Sequence, residues 1–429
     1  MLKKLTINKY NETIYYDKLD NGLEVYMWPQ TNVSNFYATL SVKYGSIDTE
    51  FKIGNETHQV SKGIAHFLEH VKFNEGPNKT AHDYYNKLGS SINAFTTFDY
   101  TAYEVLASSN LKENITHLLD YVERPYFTKE LIEKERKIIL SEVKMGKNNP
   151  YQVLYYHLNN ALFHNNQRKY YVTGDEEDVK NITLEEINLV YNTFYHPSNM
   201  FLAVTGNFDP DYLDVIIREN QSSKEFPKYL NPIKIKPKEK ETVNEERVTV
   251  TGNVTTPKLR IAYKIKKSSL GNISDMEKLV YTRIILNANF GTTSDIKERL
   301  LESNLISKLS TNAYLVDDFL IININAETKY PNEIEKRLKE NYDHMDLTPK
   351  RLERRIRCNI ADFIYGLDDI EYLNNMIQDN IMTHNKFITN TYDVIKSLNM
   401  DTANKVIEDL KKYSVCTVIM NPLEEQPQE

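Results

Sequence analysis

Cysteine is almost absent. Cys358 and Cys416 are the only two in 429 residues, and they lie far apart in the chain. With no secretory leader over residues 1–30 they are not expected to pair. No apolar run reaches the roughly twenty residues that a membrane-spanning helix needs, so no span is expected. Positive charge is in deficit too. The 53 Lys and Arg against 60 Asp and Glu leave a net charge of −7, which speaks against a nucleic-acid binder. What remains is an ordinary composition, 40% hydrophobic and 26% charged, in a chain long enough for two or more domains. The expected compartment is the cytoplasm. The 30 tyrosines, with abundant Asn, Lys and Ile, read as genome bias and not as chemistry.

One stretch does carry chemistry: His66-Phe67-Leu68-Glu69-His70. On a helix, residues four apart point to the same side, so His66 and His70 can hold one metal ion between them. That leaves positions for a carboxylate and a water. Glu69 follows His66 by three and lies near the same face, placed as a general base toward a water at the metal. H-x-x-E-H is the zinc-peptidase motif in inverted order. The plain alternative is a solvated or structural histidine pair. The flanks favour the metal reading, since Gly63, Ile64, Ala65, Phe67 and Leu68 are small or apolar, as in a helix buried beside a site.

A catalytic zinc usually takes three protein ligands. The best source of the third is the segment from Phe127 to Lys147, FTKELIEKERKIILSEVKMGK, which is strongly helical in composition. Thr128 is suited to cap it. Ile132, Glu135, Ile139 and Glu142 share one face, and a carboxylate on an apolar face calls for a cationic partner. Glu133, Lys134, Arg136 and Lys137 read as a solvated face. Spacing alone leaves Glu135 and Glu142 unranked.

Along the chain, short alternating segments precede the motif, among them Ile14–Leu19 and Leu23–Met27 around an Asp20-Asn21-Gly22 turn. Helical segments follow, and Met200–Gly206 is an apolar strand. Pro227, Pro232 and Pro237 among lysines mark 222–240 as a linker. Beyond it the pattern restarts. Each half closes with a helix and then a strand, FLAVTGNFDP in one and SVCTVIMNP in the other, a weak internal repeat.

Three stretches together resemble the M16 family of zinc peptidases, the insulinase, pitrilysin and mitochondrial processing peptidase group. They are GIAHFLEH at Gly63–His70, SINAFTTF at Ser91–Phe98 and IEKERKIILSE at Ile132–Glu142. The resemblance implies an α+β fold of two homologous LuxS/MPP-like α/β-roll domains facing each other as a clam shell. Their expected spans are 1–221 for the zinc-bearing domain, 222–240 for the linker and 241–429 for the second domain. It implies one Zn²⁺ per chain held by His66, His70 and Glu142, with Glu69 catalytic and Glu135 supporting from behind. It also implies that Asn93, Ala94, Phe95 and Thr96 form an edge strand that pairs with an extended peptide substrate, gripped by main-chain bonds with little sequence demand.

The sequence departs from that family in one place. Active members commonly carry an Arg and a Tyr in the second domain that support the oxyanion. Here Leu301 and Ser307 stand at those positions, and Arg299 or Tyr314 could replace them only after a register shift, so neither is assigned the role. Some M16 peptidases divide the zinc and the Arg/Tyr pair between two subunits. This chain resembles the zinc-bearing half, and within the family the bacterial YmfH-like and AlbF-like subgroup. The expectation is therefore an M16 endopeptidase acting on short or unfolded peptides in a closed chamber, with a second M16-like subunit as partner. The alternative is a non-catalytic scaffold or peptide-binding subunit.

Overall fold

Alternating and fully apolar segments of the first half pair into a seven-stranded sheet. In the computed structural model, which describes residues 2–7, 10 and 12–423, its strands are β1 (Lys3–Ile7), β2 (Glu12–Lys18), β3 (Glu24–Pro29), β4 (Phe36–Val42), β5 (Ser91–Thr96), β6 (Thr101–Ala107) and β7 (Met200–Gly206). Their spatial order is β1-β2-β3-β7-β4-β6-β5. Strand β7 runs parallel to β3 and antiparallel to β4. Both β4 and β7 are buried along their whole length; the alternate residues Thr39 and Ser41 of β4 are buried polar groups that bond to Asn374 and Gln378. At the far side β5 is paired only with β6, in the register Thr96 to Thr101 and Asn93 to Glu104.

A second sheet, of five strands, is built from β8 (Arg247–Gly252), β9 (Lys258–Lys266), β10 (Lys308–Val316), β11 (Phe319–Glu327) and β12 (Tyr413–Pro422), in the order β8-β12-β9-β11-β10. Its connectivity repeats that of β3-β7-β4-β6-β5. In both, the last strand inserts parallel to the first and antiparallel to the second. The weak repeat of the closing segments is thus a repeat of topology.

The compact units interleave along the chain. One comprises Met1–Lys144, Tyr171–Lys236 and Tyr365–Thr389, the other Met145–Tyr170, Pro237–Ile364 and Asn390–Glu429. These do not coincide with the expected spans 1–221 and 241–429, whose outer ends at 1 and 424–429 lie outside the described residues. The helix Pro150–Leu162 puts Leu154, Leu158 and Leu162 into the core of the second unit beside Cys416 and Val418. The helix Ile370–His384 lies in the first unit, on β4 and β7. A polar seam holds it there. Asn374 accepts from the Thr39 hydroxyl at 2.7 Å and donates to the carbonyl of Ala203 at 3.0 Å, while the Thr205 hydroxyl donates to the carbonyl of Ile370 at 2.6 Å. Local sequence gives no sign of which sheet a helix will cover, so such an exchange leaves no mark in the pattern.

The stretch expected as a linker is also held in place. In the first unit Ile233 pairs with Lys52, and the Lys234 ammonium meets the buried Asp48 carboxylate at 2.7 Å. In the second unit the Glu239 carboxylate accepts the backbone N–H groups of His164, Asn165 and Asn166 at 3.0, 2.8 and 2.7 Å. It also accepts the wholly buried Lys264 ammonium at 2.8 Å. The lysines that suggested a solvated linker are in part counter-ions.

Strands β6 and β10 are not evident from sequence. Buried on nearly every position, β6 shows little alternation, and Ser310-Thr311-Asn312 gives β10 the composition of a loop. Among the described residues no helix is long and apolar enough to cross a membrane.

Replacing Asn374 by Ala leaves the Thr39 hydroxyl and the Ala203 carbonyl without their partner in a buried seam. The full chain should lose about 1–3 kcal/mol in denaturant unfolding. A loss below about 0.5 kcal/mol, the range of ordinary surface changes, would show that the seam does not hold the helix.

Candidate metal centre

The centre is carried by α1 (Ile64–Lys72), with α2 (Ala81–Leu88) and α3 (Leu111–Glu123) nearby, and by α4 (Lys129–Asn148). Helix α1 starts at Gly63, whose φ of +79° is left-handed. A Cβ there would lie 2.2 Å from the carbonyl oxygen of Thr173, so only glycine fits. Phe67 and Leu68 are fully buried in the core of the first unit, each worth about 1.5–3 kcal/mol of burial. At the other end Lys72 is buried and donates to the carbonyl of Arg124 at 2.5 Å, with its ammonium 5.1 Å from the Tyr191 ring centre and 5.7 Å from that of Phe127. Burial pushes this ammonium down to about 7. Helix α4 opens on Thr128, whose hydroxyl accepts the N–H of Leu131 at 3.1 Å, the cap expected from sequence.

These constraints face α1 toward α4 and bring three expected residues together. Ligand atoms of His66, His70 and Glu142 lie within 4.8 Å of one another. Oε2 of Glu142 is 3.8 Å from Nε2 of His66 and 3.3 Å from Nε2 of His70. Glu135, two turns earlier on the same face, lies behind His70, with Oε2 3.7 Å from Nδ1. The two glutamates that spacing could not rank thus have different places. Burial pushes His66 down to about 3, so its ring is neutral and keeps a lone pair. Burial also lowers His70, but the Glu135 contact and the charges of Glu142 and Glu69 outweigh it and raise the net value. A proton on Nδ1 directed at Glu135 leaves the Nε2 lone pair facing Glu142.

Zinc suits this donor set. Two imidazole nitrogens and a carboxylate oxygen are its usual catalytic ligands, and a carboxylate behind a ligating histidine fixes tautomer and ring orientation. The Glu142 side chain is 33% exposed, against 14% for His66, so the site is open to water on the glutamate side.

Glu69 is buried, and Oε2 accepts the Thr96 hydroxyl at 2.6 Å. Burial raises its pKa, partly offset by Thr96 and His70. Thr96 belongs to β5, so Asn93, Ala94, Phe95 and Thr96 do lie on an edge strand, and that strand reaches the motif helix. The contact of the Thr96 side chain was not anticipated. Its one signal in the sequence is alternation, which puts Ala94 and Thr96 on the face toward α1, and Asn93 and Phe95 on the other.

The positions expected to carry an Arg/Tyr pair are different in kind. Leu301 is exposed on the helix Asp295–Glu302. Arg299 donates to the carbonyl of Asp295 within the same exposed helix. The hydroxyl of Tyr314 is buried, and burial raises its pKa. It is not presented as a donor to a ligand.

Comparison with known proteins bears on the whole chain. Residues 35–176 match the model described as insulinase (peptidase family M16), and residues 181–354 the peptidase M16 inactive domain. The zinc protease YmfH of Bacillus subtilis is 31% identical over 98% of this chain and 99% of its own length. The chain belongs to the M16 peptidase family. Another relative, the zinc protease PqqE of Helicobacter pylori, is 22% identical over 92% of this chain and 91% of its own. Among solved structures, an M16-like peptidase from Alicyclobacillus acidocaldarius has a TM-score of 0.89 at 28% identity, covering 96% of this chain and 99% of that one. The fold is accordingly mixed α/β with two M16 domains, and the zinc-protease names of these relatives match the His66, His70 and Glu142 group.

Purified with zinc, the M16 protein should bind the metal, and Glu142→Ala should abolish stoichiometric loading as read by atomic absorption. Glu135→Gln should keep the site and weaken zinc about 10–100-fold in a chelator competition, because it removes only the support behind His70. Equal losses in the two variants would contradict the different places given to the two glutamates.

Proposed function

We propose that this protein is a zinc-dependent endopeptidase for short or unfolded peptides and the catalytic subunit of an M16 heterodimer engaged in peptide processing or maturation. The observation that carries the reading is the convergence of His66, His70 and Glu142 beside a buried glutamate, Glu69, that touches an edge strand. An edge strand accepts only an extended chain, so a folded protein is a poor substrate and sequence demand is low.

Zn²⁺ held by the two Nε2 atoms and the Glu142 carboxylate would supply a Lewis acid for a peptide carbonyl and acidify water. The chain's own residues do the rest. Glu135 keeps the Nδ1 proton of His70 and so keeps its Nε2 free. Glu69 accepts the proton of the attacking water and returns it to the amide nitrogen as the C–N bond breaks. Burial raises its pKa, which suits a group that must hold a proton between two steps. Strand β5 offers backbone groups on its open side to align the peptide.

The partner follows from the second unit. With Leu301 and Ser307 at the expected positions and the Tyr314 hydroxyl buried, this chain presents no evident Arg/Tyr pair for an oxyanion. A second M16-like subunit would supply it.

Peptide hydrolysis followed by mass spectrometry, with and without the M16-like protein encoded beside this one, tests both claims. Cleavage should need the partner. Glu69→Gln should retain zinc and lose at least about 10²-fold in kcat. High turnover by this chain alone would remove the partner, and unchanged turnover in Glu69→Gln would remove Glu69 from the mechanism.

A further inference from the structure

We propose that Thr96 is a positioning residue: its hydroxyl fixes the Glu69 carboxylate, so that the strand which aligns the peptide also sets the base. This rests on the reading of Glu69 as general base.

The Glu69 side chain is long, and its terminal carboxyl torsion is intrinsically broad. The hydroxyl of Thr96 donates to Oε2 at 2.6 Å, a length typical of a charge-assisted bond. That removes the torsional freedom and leaves Oε1 for the water. A β-branched residue suits the task, because χ1 of threonine is stiff and aims the hydroxyl from a fixed backbone. The backbone itself is fixed by the ladder to β6, in which Thr96 pairs with Thr101. The Thr101 hydroxyl in turn donates to the carbonyl of Tyr44 at 3.0 Å, so this end of the hairpin is anchored in the core.

The consequence is a shared reference. A peptide added to the open side of β5 takes its register from the backbone of that strand. Glu69 takes its orientation from a side chain of the same strand. The distance between base and scissile bond therefore depends on one six-residue segment and not on two independent elements. Asn93 and Phe95 are excluded from the role by alternation. The Asn93 amide is bonded to Glu104, and the Phe95 ring packs 5.8 Å from that of Tyr100.

The test uses the full chain, with its M16 partner where hydrolysis requires one. Thr96→Val keeps size and branching and removes the hydroxyl. It should lower kcat about 10–100-fold while KM and zinc content stay within about twofold, and Thr96→Ser should restore most of kcat. A Thr96→Val enzyme with wild-type kcat, in a protein that Glu69→Gln inactivates, overturns the positioning role alone. A Glu69→Gln enzyme that cleaves normally overturns the base reading beneath it. A second measurement needs no substrate: melting temperatures of Thr96→Val, Glu69→Ala and the double variant. The double variant should melt with Glu69→Ala, because the hydroxyl then has nothing to hold. Fully additive shifts overturn the coupling.

Discussion

Three carboxylates, those of Glu69, Glu135 and Glu142, converge on two imidazoles in a site where Glu69 and Glu135 are buried. Everything else in the first unit can be read as the support for that crowding. Burial holds His66 neutral, so it contributes lone pairs and no charge. His70 and the exposed Lys134, whose ammonium lies 3.9 Å from the Glu135 carboxylate, bring at most two positive charges to three acids. A carboxylate taken out of water without a counter-charge is among the costlier things a fold can contain. A divalent cation at the meeting point of Nε2, Nε2 and Oε2 removes the imbalance, and the donor types select zinc over the harder calcium and magnesium. The metal reading therefore does not depend on the motif alone. The surrounding charges make the same demand.

That convergence requires α1 and α4 to face each other within narrow limits, and the means are local. Gly63 permits an entry into α1 that any side chain would block. Lys72 closes the other end with one hydrogen bond and two aromatic faces. Thr128 starts α4 so that Glu135 and Glu142 fall on the inner face two turns apart. None of these residues meets the metal group, yet each determines where a ligand atom lies.

The motif helix, the α4 ligands and most apolar elements were legible because each obeys a short-range rule: period 3.6 around His66–His70, a cap at Thr128, alternation in β4 and an apolar run in β7. What was not legible depends on partners far away in the chain, 73 to 335 residues in the cases that follow. The seam of Asn374 with Thr39 and Ala203 is one case, and the burial of Glu239 under three backbone N–H groups is another. Asn374 in a polar helix and Glu239 in a lysine-rich stretch look like surface residues until the fold supplies their neighbours. The ranking of Glu142 over Glu135 was likewise beyond spacing, because two residues on one helical face differ only in how far along that face the partner helix lies.

The repeated topology sharpens the meaning of β5. The same connectivity ends in an edge strand twice, at β5 and at β10. Open edges invite unwanted pairing, and proteins restrain them by shortness and polar side chains. Strand β5 is six residues long, with exposed Ser91 and Asn93. Strand β10 is nine residues long and buries the Tyr314 hydroxyl. Only β5 has a residue bonded to a buried glutamate of the H-x-x-E-H helix. Duplication therefore explains why an edge strand exists at each place. It does not explain why one of them is joined through Thr96 to the only His/His/Glu group among the described residues. The peptide-pairing role proposed for β5 would account for it, since an edge left open beside a reactive group can take an extended chain along it.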